Sequence, residues 1–352
     1  MSPTTASLLQ IDDLRIHFPI TRGVVARRTI GHVQAVDGVS LAIESGETVG
    51  LVGESGSGKT TLGRAVVSLY RPTSGSIRFR GTDLTTLRGR DGKRTRAQLQ
   101  MVFQDPFASL DPRWSIEATV SEPLRIHRIG DRRERRRRVR ELLDVVGLSA
   151  RIGERYPHEL SGGQRQRVGL ARALALRPAI VVADEAVSAL DVSIQAQIVN
   201  LLENLQSEFG LTYLFIAHDL AVVNHISDRV AVMYLGRIVE LAPARVVYRE
   251  PRHPYTVSLL SANPVPDPAI ERKRERIVLP GEPPDPASPP TGCRFHTRCW
   301  MRTELGNPEV CETEDPALSA AAPSHVVACH FADRVPAATA TRRTVGPLAG
   351  GS

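Results

Sequence analysis

GESGSGKT, residues 53–60, follows the short apolar run TVGLV and opens the helical pattern TTLGRAVVSLY. It fits G-x-x-x-x-G-K-S/T, in which glycines let the backbone wrap phosphates and aim its N–H groups inward. The N-terminus of the following helix adds a partial positive charge. In that frame Lys59 reaches the β and γ phosphates and the Thr60 hydroxyl ligates Mg²⁺. A glycine-rich turn alone would be a weak signal. The lysine, the hydroxyl and the strand-to-helix context together make an ordinary tight turn a poor account. The expected nucleotide-binding set is Gly53, Glu54, Ser55, Gly56, Ser57, Gly58, Lys59, Thr60 and Thr61.

Working outward, short apolar runs alternate with helical patterns from residue 8 to about 240, which predicts an α/β fold with a mostly parallel sheet. TVGLVG, IVVADE and TYLFIAHD read as buried strands, being short, β-branched and polar at their ends. After the first, Leu62, Ala65, Val66 and Leu69 fall on one helical face. SIQAQIVNLLENLQSEFG predicts a helix with Ile194, Ile198, Leu201 and Leu205 on one face and a stop at Gly210. Between about 104 and 165 helical signals dominate, so a helical insertion is expected there. Residues 264–290 contain nine prolines, too many for helix or central strand, and predict an extended connection. The expected organisation is an ATP-binding core over 1–103 and 166–240, a helical subdomain over 104–165, a small irregular cysteine-bearing domain over 241–335, and a disordered tail over 336–352.

The 352 residues allow two or three domains with a proper core, so disulfides are not needed to hold the fold. No apolar run approaches the roughly 18–20 residues of a membrane span, and the first ten residues lack a signal-peptide pattern, so the chain is expected to be cytoplasmic. Reduced thiols there favour metal or redox roles for cysteine. The net charge of +7 could suit nucleic acid or an anionic membrane face. Much of the excess lies in DRRERRRRVRELL, whose seven arginines sit on a segment with Val139, Leu142, Leu143 and Val146 at amphipathic spacing. A solvated helix face accounts for it, and 5% aromatic content offers few stacking platforms for bases.

AIVVADE ends an apolar strand in Asp184 and Glu185. Paired with a phosphate loop, the first carboxylate would hold Mg²⁺ and the second would orient or deprotonate the attacking water. LSGGQRQRVGLARAL offers a second helix start, with Ser161, Gly162 and Gly163 presenting amides to an anion. One helix start already serves the phosphates, so a second implies another anion or the far side of a shared one.

Taken together, GESGSGKT, VFQDP with Gln104, LSGGQ, VVADE, SALD and the strand-terminal His218 resemble the nucleotide-binding subunit of an ABC transporter. The resemblance covers residues 8 to about 240, with motifs in the family's order and gaps. It implies a P-loop core that sandwiches two ATP molecules head to tail with a second subunit, the LSGGQ of each (here Ser161, Gly162, Gly163, Gln164) facing the γ-phosphate held by the other. It further implies that Gln104 couples Mg²⁺ and the attacking water to the helical insertion, that His218 contacts the γ-phosphate, and that Ser188, Ala189, Leu190 and Asp191 touch the partner. Phe18 in RIHFPI is the expected adenine-stacking aromatic. Where many relatives have D-E-P, this chain has Asp184, Glu185, Ala186, and the turn loses proline's fixed φ.

Three features narrow the resemblance: DPFASLDPR beyond Gln104, REPRHPYTVSLL at 249–260, and the cysteine pattern. All resemble the oligopeptide, dipeptide and nickel importer ATPases, and TRGVVARRTIGHVQAVDGVS resembles the F-type member of their unequal pair. The implied setting is the cytoplasmic face of the membrane, with a D-type ATPase partner, two integral membrane permease subunits and an extracytoplasmic substrate-binding protein. The chain's only cysteines, Cys293, Cys299, Cys311 and Cys329, are spaced C-x5-C-x11-C-x17-C. Four thiolates suit a 4Fe–4S cluster or tetrahedral Zn²⁺, and the loose spacing, like the family resemblance, tilts toward the cluster. A different reading, a soluble ABC ATPase acting on nucleic acid through the arginine run and a zinc-bound tail, would call for duplicated cassettes or inserted coiled coils, which are not seen here.

Overall fold

The computed structural model describes residues 7–22, 28–105, 109–188, 190–262 and 276–336. Five strands form the parallel half of an eight-stranded sheet: β3 (Thr48–Val52), β6 (Leu99–Val102), β7 (Ile180–Asp184), β8 (Thr212–Ile216) and β9 (Arg229–Tyr234). Every residue of β3, β7 and β8 is buried. That is why they read as unbroken apolar runs: helices or a second sheet cover both faces. Val181 and Ala183 face one apolar cluster, Ile180 and Val182 the other.

The antiparallel parts were not legible as such. β1 (Leu9–Arg22), β2 (Arg28–Ile43), β4 (Ser74–Phe79) and β5 (Thr82–Asp83) form a separate four-stranded sheet in the order β2-β1-β4-β5. On β1 the buried residues are Leu9, Ile11, Leu14 and Ile16. The break in their period of two coincides with a register shift between Ile11 and Leu14, where Asp13 takes φ +41°. The large sheet is therefore mixed: β10 (Arg237–Pro243) runs antiparallel to β9, β12 (His325–Val327) to β10, and β11 (Ser319–Ala322) to β12.

Helix α1 (Lys59–Val66) buries Leu62, Ala65 and Val66, but it ends sooner than the apolar spacing implied, and Leu69 is 57% exposed. After α2 (Gly89–Ala97) come α3 (Ile116–Ile126), α4 (Arg132–Val145) and α5 (Gly162–Leu174), which pack on one another. α4 starts at a reciprocal cap between Asp131 and Glu134 and buries Val139, Leu142 and Leu143, with Val146 buried just beyond its end. Its arginines face outward or meet local carboxylates, Arg136 to Glu117 at 2.8 Å and Arg138 to Glu141 at 3.3 Å. α6 (Val192–Phe209) stops at Gly210 in the left-handed conformation, φ +63°, as its sequence predicts. Its buried line is Ile198, Val199, Leu202 and Leu205, while Ile194 and Leu201 are only partly covered.

Beyond α7 (Leu220–Ile226), α8 (Ala244–Arg249) and α9 (Pro254–Ala262), residues 276–290 carry neither helix nor strand. The cysteine-bearing segment is stitched into the main sheet through β12 rather than standing apart from it. There Glu240, fully buried on β10, accepts from the backbone N–H groups of Arg252 (2.6 Å) and His253 (3.1 Å) and lies 2.7 Å from Nε2 of His325. Of the tail expected to be disordered, only Pro336 is among the described residues. No helix among the described residues is long and apolar enough to cross a membrane.

Candidate functional site

The phosphate loop turns sharply between β3 and α1. Gly58 sits at φ +103°, and a Cβ there would come within 2.1 Å of the Ala35 carbonyl oxygen. At Gly53 it would meet the Met233 carbonyl oxygen at the same 2.1 Å. Glycine is thus required twice, by conformation and by close approach of two strands. The buried Lys59 folds back on the loop, Nζ donating to the carbonyls of Gly53 (2.7 Å) and Glu54 (2.8 Å). Burial lowers its pKa, an effect offset in part by the carboxylates of Glu185, Asp184 and Glu54.

Thr60 donates its hydroxyl to Oδ1 of Asp184 at 2.9 Å. Asp184 closes β7 and is almost wholly buried, which raises its pKa against the opposing pull of Thr60 and Arg64. Glu185, next in the chain, lies at φ +46° with its N–H donating to the Ile216 carbonyl at 2.9 Å. Its carboxylate accepts from Nε2 of Gln104 at 2.7 Å, and Nδ1 of His218 stands 3.8 Å from the same oxygen. Residues taken from four separate strand ends therefore converge: Lys59 and Thr60 after β3, Gln104 after β6, Asp184 at the end of β7 with Glu185 just beyond it, His218 after β8. Without the proline of D-E-P, the turn is closed by Ser188, whose N–H and hydroxyl both donate to the Glu185 carbonyl, at 3.1 and 2.9 Å.

Ser161 caps α5: its hydroxyl accepts from the Gln164 N–H at 3.3 Å, and Gln164 Oε1 accepts in return from the Ser161 N–H at 3.1 Å. The pair bond each other rather than the phosphate loop, and Ser161 is exposed. Gly162 and Gly163 lie against Leu190 and Ile194, so the LSGGQ turn packs beside the start of α6 and the chain just before it. Of Ser188–Asp191, Ala189 lies outside the described residues; Asp191 is exposed. Phe18 lies on β1, its ring edge-on to Tyr70 at 5.3 Å between centroids, half-buried against the cluster under the antiparallel sheet. A groove lined by Arg64, Lys93, Phe103, Gln104 and His127 runs between the core and α3.

Two features were not anticipated from sequence. Asp37 on β2 is buried and takes Arg237 (3.0 Å), Arg294 and His17 (3.1 Å); burial would raise its pKa, but these partners outweigh it and hold the carboxyl below its usual value. The second is the backing of the phosphate loop by the turn between β9 and β10, where Gly236 N–H donates to the Ser57 carbonyl at 2.9 Å, a turn that Arg294 of the C-terminal segment grips at the Leu235 carbonyl, 2.6 Å away. Spacing within a motif carries no trace of either.

Cys293, Cys299, Cys311 and Cys329 are free thiols that line one small cavity together with His253, Phe295, His296 and His330. Burial pushes Cys293 up to about 11 and Cys299 and Cys329 up to about 12. As they stand, no group of three or more His, Cys, Asp or Glu side chains among the described residues is arranged to hold a metal ion.

Residues 36–188 match the family model described as ABC transporter, and residues 239–305 match that of the oligopeptide/dipeptide transporter C-terminal region. The chain is 54% identical over 326 residues to the oligopeptide transport ATP-binding protein AppF of Bacillus subtilis, covering 92% of this chain and 97% of that one. It is 49% identical over 334 residues to a probable peptide ABC transporter ATP-binding protein, y4tS, of Sinorhizobium fredii, covering 95% and 92%. Among solved structures, the ATP-binding cassette MJ0796, in a dimeric post-hydrolysis state bound to ADP and Pi, superposes with a TM-score of 0.59 at 30% identity, covering 67% of this chain and 99% of that one.

Proposed function

Because this chain belongs to the ATP-hydrolysing subunits of ABC transporters, with an oligopeptide/dipeptide transporter C-terminal region, we propose that it is the F-type ATPase powering a peptide importer. The observation that carries the catalytic part is the convergence on Glu185: Gln104 holds its carboxylate at 2.7 Å beside the Asp184–Thr60 pair. The oxygens of Thr60 and Asp184, with the amide oxygen of Gln104, are hard donors suited to Mg²⁺. When bound, the ion would neutralise charge developing on the transferred phosphoryl group. Lys59 leaves the Gly53 and Glu54 carbonyls to meet the β and γ phosphates. Glu185 orients the water that attacks the γ-phosphorus and takes its proton as the bond to ADP breaks, while His218 contacts the γ-phosphate. Phe18 offers a ring face to adenine.

Ser161 and Gln164 bond each other rather than the phosphate loop and Ser161 lies exposed, which supports the head-to-tail arrangement: they complete the site of a second, D-type ATPase across a dimer contact formed by Ser188–Asp191. The groove beside Gln104 takes a segment of a permease, so closure of the dimer moves the two membrane subunits, and an extracytoplasmic binding protein delivers the peptide. The chain then works peripherally, on the cytoplasmic face of the membrane. Glu185→Gln tests the assignment: it keeps shape and hydrogen bonding but removes the base. Turnover at this subunit's site, assayed with the partner's site disabled, should fall at least ~100-fold while ATP binding and dimer closure persist. Retained turnover there would remove Glu185 from its role.

For the four cysteines we propose a 4Fe–4S cluster, with Zn²⁺ as the alternative. Gathering of all the chain's thiols at one cavity supports the donor set, though the side chains would have to draw inward to ligate. Iron and sulfide in cluster ratio, with visible absorption, in protein purified without oxygen are expected; one zinc and no iron would assign the alternative, and neither would leave four structural thiols.

A further inference from the structure

Glu54, the second residue of the phosphate loop, has every polar group engaged, and of its four partners, Ser57, Lys59, Tyr255 and Arg298, the last two come from the C-terminal segment. Its N–H donates to Oη of Tyr255 at 2.7 Å, and its carbonyl accepts from Lys59 at 2.8 Å. Its carboxylate accepts from Nη1 of Arg298 at 2.8 Å and from Nη2 at 3.4 Å. Neither partner is a mobile surface group. Tyr255 lies on α9 and is wholly buried, its ring packed at a tilt against Tyr234 at 4.7 Å and Phe295 at 5.4 Å between ring centroids. Arg298 is only 6% exposed and is held a second time by the Pro280 carbonyl, which accepts from its Nε at 3.2 Å.

The chemistry of this arrangement has a direction. A carboxylate within a loop that must wrap a triphosphate repels that anion unless a cation neutralises it. The guanidinium does so in bidentate fashion and at the same time fixes which way the carboxylate points. The tyrosine hydroxyl takes the Glu54 N–H, so that amide is committed to shaping the loop rather than to binding phosphate.

We propose that Arg298 and Tyr255 are positioning residues of the phosphate loop, so that the C-terminal segment sets the nucleotide affinity of the core through Glu54. This gives the tyrosine of HPYT, which the catalytic reading leaves without a role, a place in ATP binding. The proposal rests on the reading of residues 53–60 as ATP's phosphate loop.

The test is binding of Mg-ATP and Mg-ADP to the full-length chain, followed with a fluorescent nucleotide analogue and competed by the natural ones. Arg298→Met should weaken both roughly tenfold, because it leaves the Glu54 charge unneutralised, and Arg298→Lys should restore most of the affinity. Tyr255→Phe keeps the aromatic packing and removes one hydroxyl, so it stays informative if Arg298→Met fails to fold; it should weaken binding several-fold. Wild-type affinity in Tyr255→Phe and in a folded Arg298→Met would overturn the proposal, as would equal losses in the Lys and Met variants, which would mark a packing role alone. A wild-type chain that binds no nucleotide would overturn the phosphate-loop reading and this inference with it. A wild-type chain that binds normally confines any failure to the inference.

Discussion

At φ +46°, Glu185 occupies a conformation that costs a non-glycine residue of order 1–3 kcal/mol, and such strain persists only where the surroundings over-determine it. Here the Ile216 carbonyl, Gln104 and Ser188 fix the residue on three sides. The members of this cluster were legible because strand ends followed by polar residues are a local pattern, and a sheet brings strand ends together. Asp37 was not legible, since Arg237 and Arg294 lie 200 and 257 positions away. A second residue-scale consequence concerns His253, whose pKa burial lowers from 6.5 to about 3 against an opposing bond from Ala328. The native chain keeps it neutral, whereas the unfolded chain takes up a proton below about pH 6.5. Stability is therefore complete above that pH and drains as pH falls toward 3, by about 2 kcal/mol from this residue at pH 5. Urea midpoints at pH 7 and 5 should show this slope in the wild type and a shallower one in His253→Gln.

Among the elements, α5 shows how much one turn can be asked to do. Its reciprocal Ser161–Gln164 cap satisfies the helix start and leaves Ser161 at the surface for a partner. Ser161→Ala should cost about 1 kcal/mol of stability in the isolated chain. In the assembled transporter the larger effect should fall on turnover at the partner's site, measured with this chain's own site disabled by Glu185→Gln; undiminished turnover would separate the LSGGQ turn from the second nucleotide. Helix periodicity was readable where one face is buried, as on α4. It misled at Leu69, beyond the end of α1, and on α6, where the buried line runs through Ile198, Val199, Leu202 and Leu205 while Ile194 and Leu201 are only partly covered. The register shift at Asp12–Asp13 hid β1 by interrupting its alternation.

Across the whole molecule, the proline-rich composition suggested a C-terminal segment hung on a linker, and it is instead built into the sheet. Composition reports local conformational freedom, not the pairing of β12 with a strand far behind it. The buried Glu240 is where that pairing is held, and His325→Ala should leave its carboxyl one partner short, costing about 1–3 kcal/mol in a thermal or urea unfolding experiment. An unchanged midpoint would show that the backbone donors of Arg252 and His253 suffice. The same pairing sets a timetable for synthesis. Glu240 and His325 are 85 residues apart, so a ribosome working at ~5–20 residues per second leaves β10 as a bare strand edge for roughly 4–17 s. During that interval the nascent chain presents unpaired amides to any neighbouring strand. Polysome-bound chains are therefore the population in which a chaperone should be most needed, and its release should follow emergence of the last described strand.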